Sequence, residues 1–160
     1  MIVSVFRKIK NFLIDDGGVV KEVSTTLPEG KTKEAAAMDL RCLEEFTIAP
    51  GKRHIVETGL IIRAPRNFCL FILPRSGLAA SHGITVMNSP GLIDRDYCGP
   101  NDTIKVILGN LGDEPVSFKA GDRIGQVMII PVTPVDWKEE DAADFAGNAS
   151  RGGLGSTGVK

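Results

Sequence analysis

A chain of 160 residues, 42% apolar and 24% charged, fits one globular domain with enough volume to bury most of its apolar surface. Its net charge of −1, with no long basic run, argues against a general affinity for nucleic acid or an anionic membrane, and no apolar segment is long enough to span a bilayer. Cys42, Cys69 and Cys98 are too widely spaced for a zinc pattern and His54 and His82 lack metal-ligand spacing, so neither a zinc site nor a Ser/His/Asp hydrolase is supported.

The apolar start, Met1–Ile14, is broken by Arg7, Lys8 and Lys10 and has no small-residue cleavage site after it, which predicts a first strand rather than a signal peptide. The thiols are then expected to be reduced and the protein cytoplasmic. Short apolar runs alternate with turn formers from there on. Val19–Val23 follows an Asp-Gly turn, Phe46–Ile48 precedes Pro50 and Gly51, His54–Ile62 precedes Pro65, and Phe68–Leu73 ends at Pro74. Gly77–Ser81 has the character of one brief helical turn, and Ile84–Met87, Ile104–Leu108, Val116–Phe118 and Ile124–Pro131 complete the series. Runs this short, with Gly, Pro and Asn between them, predict an all-β domain: a sandwich, barrel or jelly roll.

One stretch carries more chemistry than the others. Turn formers Asn88, Ser89, Pro90 and Gly91 lead through Leu92 and Ile93 to Asp94, with Asp96 and the only tyrosine, Tyr97, close behind. A second turn signal at Pro100, Asn101 and Asp102 precedes the run from Ile104, which outlines a β-hairpin with a carboxylate at its neck. A carboxylate held still on a strand can take a proton from water, although an Asp on a surface hairpin is ordinarily just solvated.

Residue 132 marks a change of character. Thr133–Trp137 reads as a chain leaving the core, and the mostly charged 138–144 leads into a glycine-rich end with little to pack. The expected division is a β domain over residues 1–135 and a flexible C-terminal arm over 136–160. The arm still has the composition of a phosphate cradle, with glycine N–H groups, the Ser156 and Thr157 hydroxyls and the Arg151 guanidinium.

Taken in order, Ala36–Arg41 (AAMDLR), Pro74–Ala79 (PRSGLA), Gly91–Tyr97 (GLIDRDY), Gly121–Gln126 (GDRIGQ) and Gly152–Gly158 (GGLGSTG) resemble the motifs of the trimeric deoxyuridine triphosphatase (dUTPase) family. The resemblance runs from about residue 20 to the end of the chain. It implies an all-β jelly roll of the β-clip type, hydrolysis of dUTP to dUMP and pyrophosphate with Mg2+, and a homotrimer whose active sites are each built from all three subunits.

The same resemblance assigns roles. Asp94 matches the carboxylate that activates the water attacking the α-phosphorus, and Tyr97 the ring beneath the deoxyribose that leaves no space for a 2′-hydroxyl. Asn88, Leu92, Ile93 and the segment through Lys105 match the uracil pocket, where backbone groups pair with the base. Arg75, Ser76 and Gly77 match the phosphate grip, with Gln126 a further phosphate donor. Asp122 and Arg123 could equally serve as a turn and a subunit contact. Asp39 matches the acid that holds a water of the triphosphate-bound magnesium. In the arm, Arg151, Leu154, Gly155, Ser156 and Thr157 match the segment that closes over base and phosphates.

The chain departs from the family pattern in places. Leu154 stands where an aromatic usually covers the uracil, and a leucine covers a base without presenting a π surface. Ala149 occupies the usual place of the arm's arginine, which here is displaced to Arg151. Ala37 stands where glycine is common, and Pro100–Asp102 lengthens the hairpin. Two other functions share the fold: a dCTP deaminase-related enzyme, and a nucleotide-binding member with weakened catalysis. Deamination needs a base at the pyrimidine C4, usually a glutamate, and residues 88–99 contain none.

Overall fold

The structure is a computed structural model that describes residues 26–141 and Gly147, together with the backbone of residues 4–7, 13–14 and 20–21. In chain order the strands are β1 (Ser4–Arg7), β2 (Leu13–Ile14), β3 (Val20–Lys21), β4 (Ala37–Arg41), β5 (Phe46–Ile48), β6 (Arg53–Glu57), β7 (Leu60–Arg63) and β8 (Phe68–Leu73). One helix, α1 (Ser76–His82), precedes β9 (Ile84–Val86), β10 (Gly91–Ile93), β11 (Lys105–Asn110), β12 (Val116–Phe118) and β13 (Arg123–Pro131). All strand pairings are antiparallel. The larger sheets run β10-β8-β13-β4 and β6-β11-β9, with two-stranded pieces β12-β5, β1-β7 and β2-β3.

The core lies between these sheets, as in a jelly roll. Leu40, Leu70, Ile72 and Val127 come from the four-stranded sheet, and Val56, Ile84, Val86, Val106 and Leu108 from the three-stranded one. All are nearly inaccessible, and at about 1.5–3 kcal/mol for each buried aliphatic side chain they dominate the stability. Asn110 is wholly buried at the end of β11. Its Nδ2 donates to the carbonyls of Ile48 and Glu114, and its Oδ1 accepts from the Gly112 N–H, so one side chain ties β5, β11 and the loop before β12 together.

The all-β expectation holds, and the runs at 46–48, 68–73 and 116–118 are strands with the expected bounds. Three local expectations are corrected. The N-terminal stretch is not one strand: β1 pairs with β7, while β2 pairs with β3 in a separate hairpin. The run His54–Ile62 is two strands in different sheets, because the chain turns at Gly59, whose φ is +66° and whose missing Cβ would otherwise meet the Leu43 side chain at 2.9 Å.

The hairpin around Asp94 is the third correction. β10 pairs with β8 in the four-stranded sheet, whereas β11 pairs with β6 and β9 in the other. After β9 the Met87 N–H still donates to the Ile107 carbonyl, and the turn 88–90 then carries the chain across to β8. Residues 88–104 are thus an excursion between two sheets. The helical turn is present and somewhat longer than expected, ending at Gly83, whose φ of 66° lets its N–H cap the Ala79 and Leu78 carbonyls.

Candidate active site

Two groups of functional side chains emerge, and they sit apart. The first is assembled from β4, the start of α1 and β13. Gln126 lies opposite Asp39 on one side and Leu73 on the other, so three strands bring Asp39, Gln126 and the Pro74–Gly77 segment to one corner of the sheet. The Asp39 side chain is about 5% exposed and sits between two arginines: Arg75 Nε at 3.2 Å from Oδ1, and Arg123 Nη1 at 3.1 Å from Oδ2. Arg75 also donates through Nη1 to the Arg123 carbonyl at 3.2 Å. One carboxylate facing two guanidinium groups leaves positive charge over, which suits an anion.

These contacts are not equivalent. Arg123 donates a directed hydrogen bond to Oδ2. Oδ1 is buried and receives no aligned hydrogen bond, although Arg75 Nε is within ion-pair distance. It retains acceptor capacity. Ser76 and Gly77 begin α1 on its exposed side, and a Cβ built on Gly77 would meet nothing within 4 Å. Nothing in the described chain requires a glycine there, which fits close approach of a ligand. A cleft of about 400 Å³ opens alongside, walled by Arg75, Arg123, Asp122, His82 and Phe118. Asp122 turns the chain before β13, accepting from the Lys119 N–H at 2.8 Å, so the paired partner in this corner is Arg123.

The second group belongs to the excursion. Asp94 follows β10 directly, is exposed, and is paired with no described side chain. Leu92, at 57% exposed, and Tyr97, at 40%, present apolar surface beside it, while Ile93 is half-buried. Asn88 is exposed in the turn before β10, packed against Gly91. Lys105 begins β11 and pairs with Glu57 at 3.2 Å. The loop is shaped by short turns: Tyr97 N–H to the Asp94 carbonyl, Cys98 N–H to the Asp96 carbonyl, and Gly99 N–H to Asp102 Oδ2 at 2.7 Å.

The register separates the two groups. Ile93 lies opposite Leu70, so Asp94 comes one residue beyond that pair, level with Cys69, while Arg75 follows the other end of β8, six residues from Cys69. At about 3.3 Å per extended residue the gap is about 20 Å, longer than a triphosphate chain. Of the expected site residues, the fold thus brings Asp39, Arg75, Ser76, Gly77 and Gln126 together, and strings Asn88, Leu92, Ile93, Asp94 and Tyr97 along the excursion with Lys105 at its return, but does not join the two sets. Arg151, Leu154, Gly155, Ser156 and Thr157 lie outside the described residues.

No group of three or more His, Cys, Asp or Glu side chains is arranged to hold a metal ion among the described residues. Sequence reading left Arg123 open between a turn and a subunit contact. Its role as second arginine on Asp39 depends on the β4–β13 register, which the GDRIGQ motif alone does not reveal. The cysteines are all free. Burial pushes the Cys42 thiol above its ordinary pKa and the nearby Asp122 carboxylate adds to the rise, with backbone hydrogen bonds acting against them.

Comparison with known proteins identifies the family. The dUTPase family model matches residues 24–158. A deoxyuridine 5'-triphosphate nucleotidohydrolase of Rhizobium rhizogenes is 50% identical over 138 residues, covering 83% of this chain and 85% of that protein. The dUTPase of Streptococcus mutans superposes with a TM-score of 0.65 at 32% identity, covering 69% of this chain and 89% of its own. The G164S mutant of the Staphylococcus bacteriophage 80alpha dUTPase with dUpNHpp shares the fold over 99% of both chains, with a TM-score of 0.76 at 18% identity. With the motifs in order and the family match spanning most of its length, the chain belongs to the dUTPase family.

Proposed function

We propose that the chain hydrolyses dUTP to dUMP and pyrophosphate at sites shared between copies. Asp94 of one copy activates the attacking water, and Arg75, Ser76, Gly77 and Gln126 of another hold the phosphates. Membership of the family makes the reaction dUTP hydrolysis. The observation that supports sharing is that Asp94 and Arg75 flank opposite ends of the β8–β10 pairing, about 20 Å apart at the rise of an extended chain, since a water at the α-phosphorus must lie within about 3–3.5 Å of it. A homotrimer of this chain closes that gap, as cyclic assemblies bring opposite ends of a subunit together.

Each residue has a physical task. Asp94, exposed and unpaired by described side chains, is free to accept a proton from the water that attacks in line. Leu92 and Tyr97 offer an apolar face to the nucleoside, and the Tyr97 ring excludes a 2′-hydroxyl by shape. Asn88, Ile93 and Lys105 frame the base. Arg75 supplies a planar fork for phosphate oxygens, and open Gly77 admits them to the backbone. Arg151, Leu154, Gly155, Ser156 and Thr157 of the arm would add donors and cover.

The residues fit Mg2+ carried by the triphosphate. Asp39 Oδ1, buried and lacking an aligned donor, suits a metal-bound water, which can only donate. Mg2+ bound there would screen the negative charge of the phosphates. The described chain contains no multi-carboxylate cage, in keeping with an ion that arrives with its substrate. Three free cysteines support a reducing, cytoplasmic setting.

The test is product identification with Asp94→Asn as control. Incubation with dUTP and with dCTP should give dUMP and pyrophosphate from the first and no deaminated product from the second. Asp94→Asn should keep nucleotide binding while turnover falls by about two to four orders of magnitude. Near-normal turnover in the variant would remove Asp94 from the mechanism.

A further inference from the structure

The loop that carries Asp94 and Tyr97 contains no strand between Ile93 and Lys105, so something must fix its returning end. Thr103, 6% exposed, is where it re-enters the fold. Its hydroxyl donates to Glu57 Oε2 at 2.7 Å, and the other oxygen of the same carboxylate pairs with Lys105 Nζ at 3.2 Å. Glu57 is directly opposite Lys105 in the β6–β11 ladder, so its side chain grips the residues on either side of buried Ile104. The Thr103 carbonyl in turn faces the Tyr97 hydroxyl at 3.5 Å, a long contact that orients the ring without anchoring it.

We infer that Glu57 is a positioning residue for sugar selectivity, acting through Thr103 on Tyr97. The inference rests on the reading of Tyr97 as the group that excludes a 2′-hydroxyl. The two bonds of Glu57 differ in strength. The Lys105 pair joins side chains that are each nearly half exposed, and such pairs contribute little. The Thr103 bond joins a carboxylate to the hydroxyl of a buried residue at 2.7 Å, a charge-assisted contact whose loss leaves a polar group unpaired in the interior. The hydrogen bond and ion pair of the Glu57 carboxylate go to Thr103 and Lys105 rather than to Asp94 or Tyr97, so its removal should loosen the ring's placement and leave the water-activating carboxylate in place.

The experiment measures kcat/KM for dUTP and for UTP in full-length wild type, Glu57→Ala, Glu57→Gln, Thr103→Val and Tyr97→Ala, each confirmed folded at the assay temperature. Glu57→Ala should lower the dUTP-to-UTP ratio by about three- to tenfold, the loss of one part-buried hydrogen bond. Most of that change should come from a rise in UTP hydrolysis rather than a fall in kcat for dUTP. Thr103→Val should match it. Glu57→Gln keeps an acceptor for the Thr103 hydroxyl and should restore most of the wild-type ratio, an outcome that a merely destabilising site would not produce. Tyr97→Ala should reduce the ratio further than any of them. If Tyr97→Ala collapses the ratio and Glu57→Ala leaves it unchanged, the positioning role is overturned. If Tyr97→Ala itself leaves the ratio unchanged, the reading of Tyr97 falls and this inference falls with it.

Discussion

Complementation between two inactive variants tests the shared site. Arg75→Ala removes the phosphate fork but leaves Arg123 on Asp39, so the acid is not stranded and the corner should keep its shape. Asp94→Asn removes an exposed carboxylate that no described side chain pairs with, so folding should be unaffected. Each variant alone should be nearly inactive. If one site takes Arg75 from one copy and Asp94 from its neighbour, it is intact whenever the first copy carries Asp94→Asn and the second Arg75→Ala. In a mixed trimer that carries both variants one site of the three has that order, whichever variant is in the majority, so about a third of wild-type pyrophosphate release should return. The assemblies would be coexpressed with two different tags and purified through both, then assayed for pyrophosphate. Tandem-purified mixed assemblies with no more activity than their parents would show that Asp94 and Arg75 act within one chain, and the register argument would be wrong.

Further outcomes follow from the same contacts. Asp39→Asn keeps the shape but removes the charge that two partly exposed arginines share, and should lower unfolding free energy by about 1–3 kcal/mol in urea titration. Asn110→Ala leaves the Ile48 and Glu114 carbonyls and the Gly112 N–H without their partner in a buried site, and should cost about 2–4 kcal/mol by the same assay. Because burial raises the Cys42 pKa, the folded state holds that proton more tightly than the unfolded chain. Its contribution to stability is therefore fully present below the ordinary thiol range and lost as pH rises through the folded value. Thiol labelling of native protein at mildly alkaline pH should accordingly modify half-exposed Cys98 well before buried Cys42 and Cys69, and equal labelling rates would contradict the burial argument.

Much of this protein is written locally in its sequence. The apolar runs at 46–48, 68–73 and 116–118 became strands with the expected bounds because side-chain alternation and flanking turn residues act over a few residues. The family motifs named Asp39, Arg75, Asp94 and Tyr97 without any structure, since each is marked by the residues beside it. Sheet membership was decided elsewhere. Nothing within His54–Ile62 says that β6 and β7 part at Gly59, because the left-handed turn there is fixed by the Leu43 side chain packed against it. Nor does the Asn88–Leu108 segment reveal that β10 leaves β11 for β8, since strand partners are chosen by contacts distant in sequence. The same long-range register sets Arg123 on Asp39 and Glu57 beside Thr103, pairs separated by 84 and 46 residues. It also sets Asp94 and Arg75 at opposite ends of the β8–β10 pairing, about 20 Å apart. Residue type and near neighbours determined which chemistry each position can do; only the pairing of strands far apart in the chain decided which positions can do it together.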